Sequence, residues 1–420
     1  MLYYIKIFSF LIKTGEIMEK GDKFEAIIEK NVFGGDGMCK APDGMVIFVE
    51  NSLEGEKLIV EVTSIKRSFG RGKIVKILEP SPYRAENPCK YAKDCCNCKY
   101  LFTSFEYENQ LKQKQLRDIV MQAFPEYENC IQPIVFGKNE LHYRNKAVFH
   151  AHRVSKFLDL GYIKSDNVSV VDIPECLLLC DEIQEEYKKL RENQSIMHSL
   201  RDGMELTLRY ESEKNKVHYW RNSPDLKASW LKEELICGSF SVPVGSFFQV
   251  NREVANLLIE KVTQLINDKG FETCYDLYCG SGFFAFAVAS LCKKVTNIIG
   301  TEIDERAIEC AKFNLKNFEN IISKFIAGDA AKKLPEILGN VPENSIVIVD
   351  PPRTGLDAKA VQAINRSLNI KDLIYISCNP SSWVRDMIRL QKHGFKLKEV
   401  QAFNMFNKTG HFELFSYISR

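Results

Sequence analysis

Two residues near the end of the chain are suited to covalent chemistry followed by proton transfer. The apolar run Leu373-Ile-Tyr-Ile-Ser-Cys378-Asn-Pro380 is typical of a buried strand that ends at a thiol, and Asn-Pro then stops the strand. A buried cysteine is usually only a small hydrophobe, so the position of Cys378 is what favours a role as covalent nucleophile. Glu413 is the carboxylate that we expect to act as general base, and His411 is the alternative.

A glycine turn and a series of strand-end carboxylates precede that thiol. Thr273-Cys-Tyr-Asp-Leu-Tyr-Cys-Gly280-Ser-Gly282 indicates a buried strand, a turn that lets a ligand approach the backbone, and the start of a helix. The turn alone also fits a dinucleotide-binding dehydrogenase. Glu302 is placed to bind ribose hydroxyls, Asp329 an adenine amino group, and Asp350-Pro-Pro ends a further apolar strand. Together these positions indicate a nucleoside cofactor and an enzyme that acts on a nucleobase.

Six cysteines in the first half of the chain have the spacing of metal ligands. Cys89, Cys95, Cys96 and Cys98 lie in one short stretch, and Cys176 and Cys180 follow later. Three thiolates on one loop and a fourth from elsewhere can hold a cubane iron–sulfur cluster or zinc. Because Cys95 and Cys98 are the only pair with the two-residue spacing of a zinc knuckle, the pattern favours iron–sulfur.

Composition sets broad limits on the class of protein. The 420 residues exceed what one core usually organises, so we expect two or three domains. The net charge of +2 neither supports nor excludes a nucleic-acid partner. Fourteen cysteines are too few for a disulfide scaffold and indicate a reducing, cytoplasmic compartment. No stretch reads as a membrane span, and we expect residues 1–17 to be a non-native or disordered extension outside the fold.

The elements that must position these residues fall into three regions. Residues 18–80 alternate short strands with glycine turns, which predicts a small barrel of the oligonucleotide-binding type. Its last hairpin carries a basic patch around Phe69: Lys66, Arg67, Arg71, Lys73 and Lys76. Residues 81–245 indicate a central α+β domain with a helix near 104–123. Residues 246–420 alternate helices with strands, which predicts a doubly wound, Rossmann-like α/β domain.

Taken together, these motifs resemble the RNA uracil-5 methyltransferases, from Met18 almost to the end of the chain. The resemblance implies that residues 18–80 are a TRAM domain and that residues 246–420 bind S-adenosylmethionine. It implies that Cys89, Cys95, Cys98 and Cys176 hold a 4Fe-4S cluster, which leaves Cys96 and Cys180 as extras. Ser377-Cys378-Asn-Pro matches the nucleophile motif and Glu413 the base. The residues implied to contact the cofactor are Gln249 (in Ser246-Phe-Phe-Gln249), Tyr278, Phe283, Glu302, Asp329 and Asp350.

The resemblance also implies a reaction and a substrate. A thiolate that adds to carbon 6 of uracil makes carbon 5 nucleophilic toward the methyl group of S-adenosylmethionine. The uridine must be flipped out of its stack to be reached. The TRAM domain and cluster cysteines favour 23S ribosomal RNA over tRNA, and Tyr143-Arg-Asn-Lys146 resembles a segment that faces RNA. We expect a monomer. Asn407 stands where the family usually has proline, and we expect the exchange to loosen the loop before Glu413.

Three other functions remain open from the sequence. The same chemistry on tRNA is the first. A nicotinamide-dependent oxidoreductase would explain the glycine turn but not Asp350-Pro-Pro, Cys378 or Glu413. A non-catalytic RNA-binding or assembly factor would have no need for an intact Cys378, Glu413 and Gln249.

Overall fold

A computed structural model describes residues 17–155, 157–226 and 230–420. The predicted extension, apart from Ile17, lies outside the described residues. The chain divides into two compact units: unit 1 contains the residues up to Gln115 together with Lys408–His411, and unit 2 contains Leu116–Asn407 and Phe412–Arg420. Among the described residues, no helix is both long enough and apolar enough to cross a membrane.

The described part of unit 1 contains one six-stranded sheet, ordered β1-β5-β6-β4-β3-β2. Its strands alternate buried and exposed residues over much of their length, as the period-2 pattern predicts. Neighbouring strands are antiparallel except for the parallel pair β4 and β6. The buried faces enclose a hydrophobic core that includes Phe24, Ile47 and Val60. The strands are β1 (Lys23–Ile27), β2 (Lys30–Asn31), β3 (Gly37–Lys40), β4 (Val46–Val49), β5 (Lys57–Ile65) and β6 (Gly70–Glu79).

A buried charge cluster explains why Lys408–His411 belong to unit 1. Helix α1 (Phe105–Ala123) begins where the sequence predicts it, and its Glu108 side chain is fully buried. Glu108 Oε1 accepts hydrogen bonds from Lys112 Nζ and from the backbone N–H of Lys408, both at 2.8 Å. The Lys408 ammonium, 1% exposed, donates in turn to the carbonyl of Thr103 at 2.9 Å. Buried cations that have a carboxylate partner are far less costly than unpaired ones, so this loop is held firmly.

The first part of unit 2 contains the predicted α+β domain from Leu116 onward, whereas residues 81–115 of that predicted domain belong to unit 1. Five of its described strands form an antiparallel sheet ordered β11-β10-β7-β8-β9. Helix α2 packs on this sheet through Ile183, Tyr187 and Leu190, and the Tyr187 ring stacks on Phe149 at 3.9 Å. The elements are a 3-10 helix (Pro125–Cys130), β7 (Lys146–Val154), β8 (Phe157–Ile163), β9 (Val170–Asp172), α2 (Asp181–Glu192), α3 (Gln194–Ser199), β10 (Glu205–Glu211) and β11 (Lys216–Arg221).

The second part of unit 2 is the predicted α/β region. A hairpin, β12 (Leu231–Leu235) and β13 (Gly238–Val242), leads into α4 (Arg252–Lys269). A seven-stranded sheet follows, ordered β16-β15-β14-β17-β18-β20-β19 within the described residues. Its elements are β14 (Thr273–Leu277), α5 (Phe283–Leu291), β15 (Asn297–Glu302), α6 (Glu305–Leu315), β16 (Ile322–Ala327), α7 (Ala330–Ile337), β17 (Ser345–Val349), α8 (Ala358–Arg366), β18 (Asp372–Ser377), α9 (Pro380–Gln391), β19 (Lys396–Phe403) and β20 (Glu413–Ser419).

The seven-stranded sheet is mixed rather than wholly parallel. Strands β14 to β18 pair in parallel, and β20 runs antiparallel to both β18 and β19. Strands β14 and β17 are buried along their whole length; Ile346–Val349 of β17 is a continuous apolar run, whereas β14 includes the buried Asp276. The α/β prediction is therefore confirmed, with one reversed strand that the sequence pattern does not reveal.

Candidate active site

The carboxyl edge of the seven-stranded sheet collects most of the predicted site residues. Parallel strands end at one edge, so the residues that end or follow β14 to β18 lie along it. These are Tyr278, Glu302, Asp329, Asp350 and Cys378. Because β20 is antiparallel to β18, with Leu414 opposite Ser377, it begins at the same edge. The topology thus brings Glu413, the first residue of β20, beside Cys378.

Backbone and side-chain hydrogen bonds fix the turn that presents the thiol. Ser377 Oγ donates to the carbonyl of Asn379 at 3.1 Å, and the Asn379 side chain accepts from the backbone N–H of Ser381 as the cap of α9. Asn379 Nδ2 also donates to the carbonyl of Arg353 at 2.9 Å. The loop after β17 and the turn after β18 are therefore joined next to Cys378.

Burial and two carboxyl groups disfavour the Cys378 thiolate, and one cation favours it. Burial raises the pKa of the Cys378 thiol to about 11, and the nearby Glu413 and Asp350 add to the rise. The Arg353 guanidinium lowers that pKa through its charge and through a hydrogen bond to the thiol. Arg353 is a residue of the candidate site to which the sequence analysis gives no role, although it lies in the Asp350-Pro-Pro-Arg motif.

The Glu413 carboxyl group is nearly inaccessible to solvent. It is 4% exposed, and burial raises its pKa well above the ordinary value. The charge of Asp350 raises the pKa further, while Arg353 opposes the rise. Burial also raises the pKa of Asp350 to about 7. Ionisation of Asp350 therefore disfavours ionisation of Glu413 beside the thiol.

Left-handed backbone turns the chain sharply at the end of β14. Tyr278, Gly280 and Gly282 all have positive φ, at 62°, 52° and 80°. A Cβ added at Gly280 would meet no atom within 4 Å, so open space lies beside this turn. Burial together with the charges of Asp350 and Glu302 raises the pKa of Asp276 to about 8. Sequence reasoning did not assign Asp276 a role, because on sequence it is simply one residue of a buried strand.

The carboxylates of Glu302, at the end of β15, and Asp329, after β16, have different surroundings. Glu302 accepts hydrogen bonds from the backbone N–H groups of Gly280, Ile303 and Asp304, at 3.2, 2.7 and 3.2 Å, so it is oriented beside the glycine turn. Asp329 follows β16 and is exposed. Burial raises the pKa of Tyr278, and the charges of Asp329 and Glu302 contribute to the rise. These three predicted residues therefore share one electrostatic environment.

Gln249 is a buried residue in the segment between β13 and α4. It is 5% exposed, and its carbonyl accepts from Asn145 Nδ2 at 2.9 Å. Arg209, 1% exposed, supports the start of this segment by donating to the carbonyl of Ser246 at 3.2 Å and by pairing with Glu233 at 3.0 Å. The predicted cofactor residue Phe283 begins α5 and packs edge-on against the ring of Phe248.

Three predicted cluster ligands line one cavity in unit 1. The cavity has a volume of about 240 Å³, and its lining includes Cys89, Cys95 and Cys98 but not Cys96. Among the described residues, however, no group of three or more His, Cys, Asp or Glu side chains is arranged to hold a metal ion. Cys176 belongs to unit 2, where it packs against the core of the α+β region.

Two further expectations from the sequence concern residues 407–411. His411, the alternative base, belongs to unit 1, where its ring packs edge-on against Phe33 at 5.4 Å. Asn407 is fully buried, and its side-chain Nδ2 donates to the carbonyl of Asn139 at 2.6 Å. The Asn407 side chain thus makes a tertiary hydrogen bond that proline could not make, which adds a tie to the loop expected to loosen.

Comparison with known protein families identifies two regions of the chain. Residues 176–420 match the family model described as tRNA (Uracil-5-)-methyltransferase, and residues 18–75 match the TRAM domain. The chain is 30% identical to an uncharacterised RNA methyltransferase of Caldanaerobacter subterraneus over 96% of its own length and 100% of that protein. It is 28% identical to an uncharacterised RNA methyltransferase of Halalkalibacterium halodurans, over 94% and 96% of the two chains.

A solved structure shares the fold. The Pyrococcus abyssi tRNA (uracil-54, C5)-methyltransferase in complex with S-adenosyl-L-homocysteine matches with a TM-score of 0.71 and 24% identity, over 94% of this chain and 100% of that one. Because the first family model spans more than half of the chain and the Caldanaerobacter relative is similar over its whole length, this chain belongs to the RNA uracil-5 methyltransferase family, whose members are S-adenosylmethionine-dependent enzymes.

Proposed function

We propose that this enzyme methylates carbon 5 of a uridine in 23S ribosomal RNA through a covalent bond between Cys378 and carbon 6 of the base. The observation that carries the proposal is the meeting of a thiol, a guanidinium and a buried carboxyl group, from Cys378, Arg353 and Glu413, at one sheet edge. A thiol, a cation that favours its thiolate and a base of raised pKa are the groups that addition and elimination at a pyrimidine require.

The reaction needs two separate tasks from the protein. The Cys378 thiolate would add to carbon 6, and the electron pair displaced toward carbon 5 would take the methyl group that bound S-adenosylmethionine supplies, as the bond from that methyl group to the cofactor sulfur breaks. Glu413 as carboxylate then removes the proton from carbon 5, the carbon 5–carbon 6 double bond re-forms, and the bond between carbon 6 and sulfur breaks. The product is 5-methyluridine, with the thiolate regenerated. Cys378 therefore acts in both halves, and Glu413 only in the second.

The charge of the sheet edge suits a cationic cofactor. Asp350 and Glu302 lie near Asp276, where their charges add to the burial that raises the pKa of Asp276, and burial raises the pKa of Asp350 as well. A sulfonium and an ammonium group would neutralise such a site better than a neutral ligand. In this proposal the open space beside Gly280 admits the cofactor, and the residues that contact it are Gln249, Tyr278, Phe283, Glu302, Asp329 and Asp350.

Large-subunit ribosomal RNA is the substrate that we propose, and tRNA is the second candidate. The TRAM domain supports an RNA substrate, and its hairpin exposes the basic residues predicted to follow phosphates, although Arg71 and Lys73 pair with Asp36 and Glu61. The combination of this domain with cluster cysteines favours ribosomal RNA by resemblance. The description of the family model and the name of the Pyrococcus abyssi protein favour tRNA.

An iron–sulfur cluster is part of the proposal. Cys89, Cys95 and Cys98 fit as ligands because they line a common cavity in unit 1. The proposal retains Cys176 as the fourth ligand on the family resemblance alone. A cluster there would supply a structural cross-link, since methyl transfer needs no electron.

The first prediction tests substrate and nucleophile together. Mass-spectrometric mapping of 5-methyluridine in cells without this gene should show loss at a position in 23S ribosomal RNA. Wild type should restore the modification and Cys378→Ala should not, because the alanine cannot add to carbon 6. Cys130→Ala, which removes another partly buried thiol, should restore it. Loss in tRNA alone would keep the chemistry and overturn the substrate, and no loss in either RNA would overturn the enzyme function.

The second prediction concerns the base. Glu413→Gln should form the covalent RNA adduct, with the methyl group already transferred, and release it at least about a hundredfold more slowly than wild type, because no carboxylate removes the carbon 5 proton. Denaturing gels with methyl-labelled cofactor measure the adduct. Glu260→Gln, an exposed position on α4, is the control and should release product normally. Normal release by Glu413→Gln would assign the base elsewhere.

The third prediction concerns the thiol pKa. In the RNA-free enzyme, alkylation of Cys378 by iodoacetamide should increase with pH around a midpoint of about 11. Arg353→Gln should move that midpoint to higher pH, because removing the cation disfavours the thiolate, whereas Arg353→Lys should move it less. Peptide mass spectrometry measures the rate at each pH, with Arg366→Gln as control. An unchanged midpoint in Arg353→Gln would show that the guanidinium does not activate the thiol.

The fourth prediction concerns the cluster. Protein purified without oxygen should contain iron and sulfide, and Cys95→Ser should lose them because Cys95 lines the cavity with Cys89 and Cys98. Cys96→Ser, the neighbouring thiol, should retain them. Iron and sulfide analysis together with visible absorption measures the loss. Stoichiometric zinc in place of iron, or equal loss in both variants, would contradict the ligand assignment.

A further inference from the structure

We infer that residues 137–145, which we call the brace segment, position two parts of the site: the proposed base Glu413 and the cofactor-side residue Gln249. On the side of the base, Asn407 and Tyr143 are the positioning residues. This inference rests on the proposed function. The brace segment, Asn407, Glu413 and the Gln249 segment all belong to unit 2.

The brace segment is fixed at its start by the first turn of α4. The Glu253 carboxylate accepts hydrogen bonds from the backbone N–H groups of Lys138 at 2.8 Å and Asn139 at 3.2 Å. A Cβ at Gly137 would lie 2.4 Å from Glu253 Oε2, so a larger residue would displace the carboxylate from this position. The segment therefore has a rigid anchor that is independent of the loop that it holds.

The base side of the brace segment holds Asn407 at two atoms. Asn407 Nδ2 donates to the carbonyl of Asn139 at 2.6 Å, and the Tyr143 hydroxyl donates to the carbonyl of Asn407 at 2.9 Å. The same hydroxyl accepts from Arg144 Nε at 3.3 Å. Asn407 is 0% exposed and lies six residues before Glu413. These bonds restrict the loop where the family usually has the rigid ring of proline.

The cofactor side of the brace segment holds the Gln249 backbone. The N–H of Asn145 donates to the carbonyl of Val250 at 3.1 Å, and its side-chain Nδ2 donates to the carbonyl of Gln249 at 2.9 Å. Asn251 then caps α4, the helix that anchors the start of the brace segment. Nine consecutive residues therefore connect the two places where the site must hold its reactants.

A specific kinetic effect follows from this arrangement. Glu413 acts only after methyl transfer, so a small displacement of its loop slows release of the covalent adduct and leaves formation of the adduct unchanged. A displacement of the Gln249 segment instead weakens cofactor binding. One neutral hydrogen bond is worth enough to change a rate about three- to tenfold.

The test separates the two sides by rapid-quench kinetics. Tyr143→Phe keeps the ring and loses the hydroxyl, and it should release the adduct about three- to tenfold more slowly, with adduct formation and the KM for S-adenosylmethionine within about twofold of wild type. Asn407→Ala should show the same pattern. Asn145→Ala should raise the KM and leave release unchanged. The control is Asn344→Ala, which loses a similar amide-to-carbonyl bond, to Gly270, at the opposite edge of the sheet.

Each outcome decides the inference or the proposed function. Slower release in Tyr143→Phe with normal formation supports the inference, even if Asn407→Ala fails to fold. Equal slowing of formation and release, or no change in either, overturns it. A wild-type enzyme that forms neither adduct nor 5-methyluridine with ribosomal RNA or tRNA overturns the proposed function instead.

Discussion

Crowding of buried carboxyl groups at one sheet edge is the constraint on which the rest of the site depends. Asp276, Asp350 and Glu413 come from three different strands, and burial raises the pKa of each. Three ionised carboxylates that close to one another in a poorly solvated place would be very unfavourable. The Arg353 guanidinium offsets part of this cost and at the same time favours the Cys378 thiolate.

Strand topology is what imposes the crowding. A wholly parallel sheet would place the start of its last strand at the opposite edge from Cys378. Because β20 is inserted antiparallel between β18 and β19, its first residue, Glu413, faces the thiol instead. The Asn379 cap joins the thiol turn to the Arg353 loop, and the brace segment holds the chain just before β20. Each reacting group is thus held by a neighbour in space rather than in sequence.

The sequence predicts features that depend on neighbouring residues in the chain, but it does not predict contacts between residues that are distant in the chain. Buried strands and the glycine turn are encoded in short apolar runs and in residues with special backbone freedom, so the strand ends and Cys378 could be placed at one edge. The reversal of β20 is not encoded in any short pattern. Arg353 and Asp276 lie inside recognised motifs, but their roles depend on which charges face them across strands.

Asn407 is a second case in which the effect of a residue depends on contacts distant in the chain. Judged by its own backbone freedom, asparagine in place of proline suggests a looser loop. Its actual effect depends on Asn139 and Tyr143, which lie more than 260 residues earlier in the chain. The cluster cysteines are intermediate: their spacing identified three that share a cavity, but spacing cannot give the arrangement of a complete ligand set.

The acidic character of the sheet edge also affects how a reaction cycle would end. With S-adenosylmethionine as the donor, methyl transfer converts a sulfonium cation into a neutral thioether. In the proposed cycle, the cation that had partly balanced Asp276 and Asp350 is then lost, which favours protonation of these two buried carboxyl groups. The proposal therefore implies that the spent cofactor is held less tightly than the fresh one.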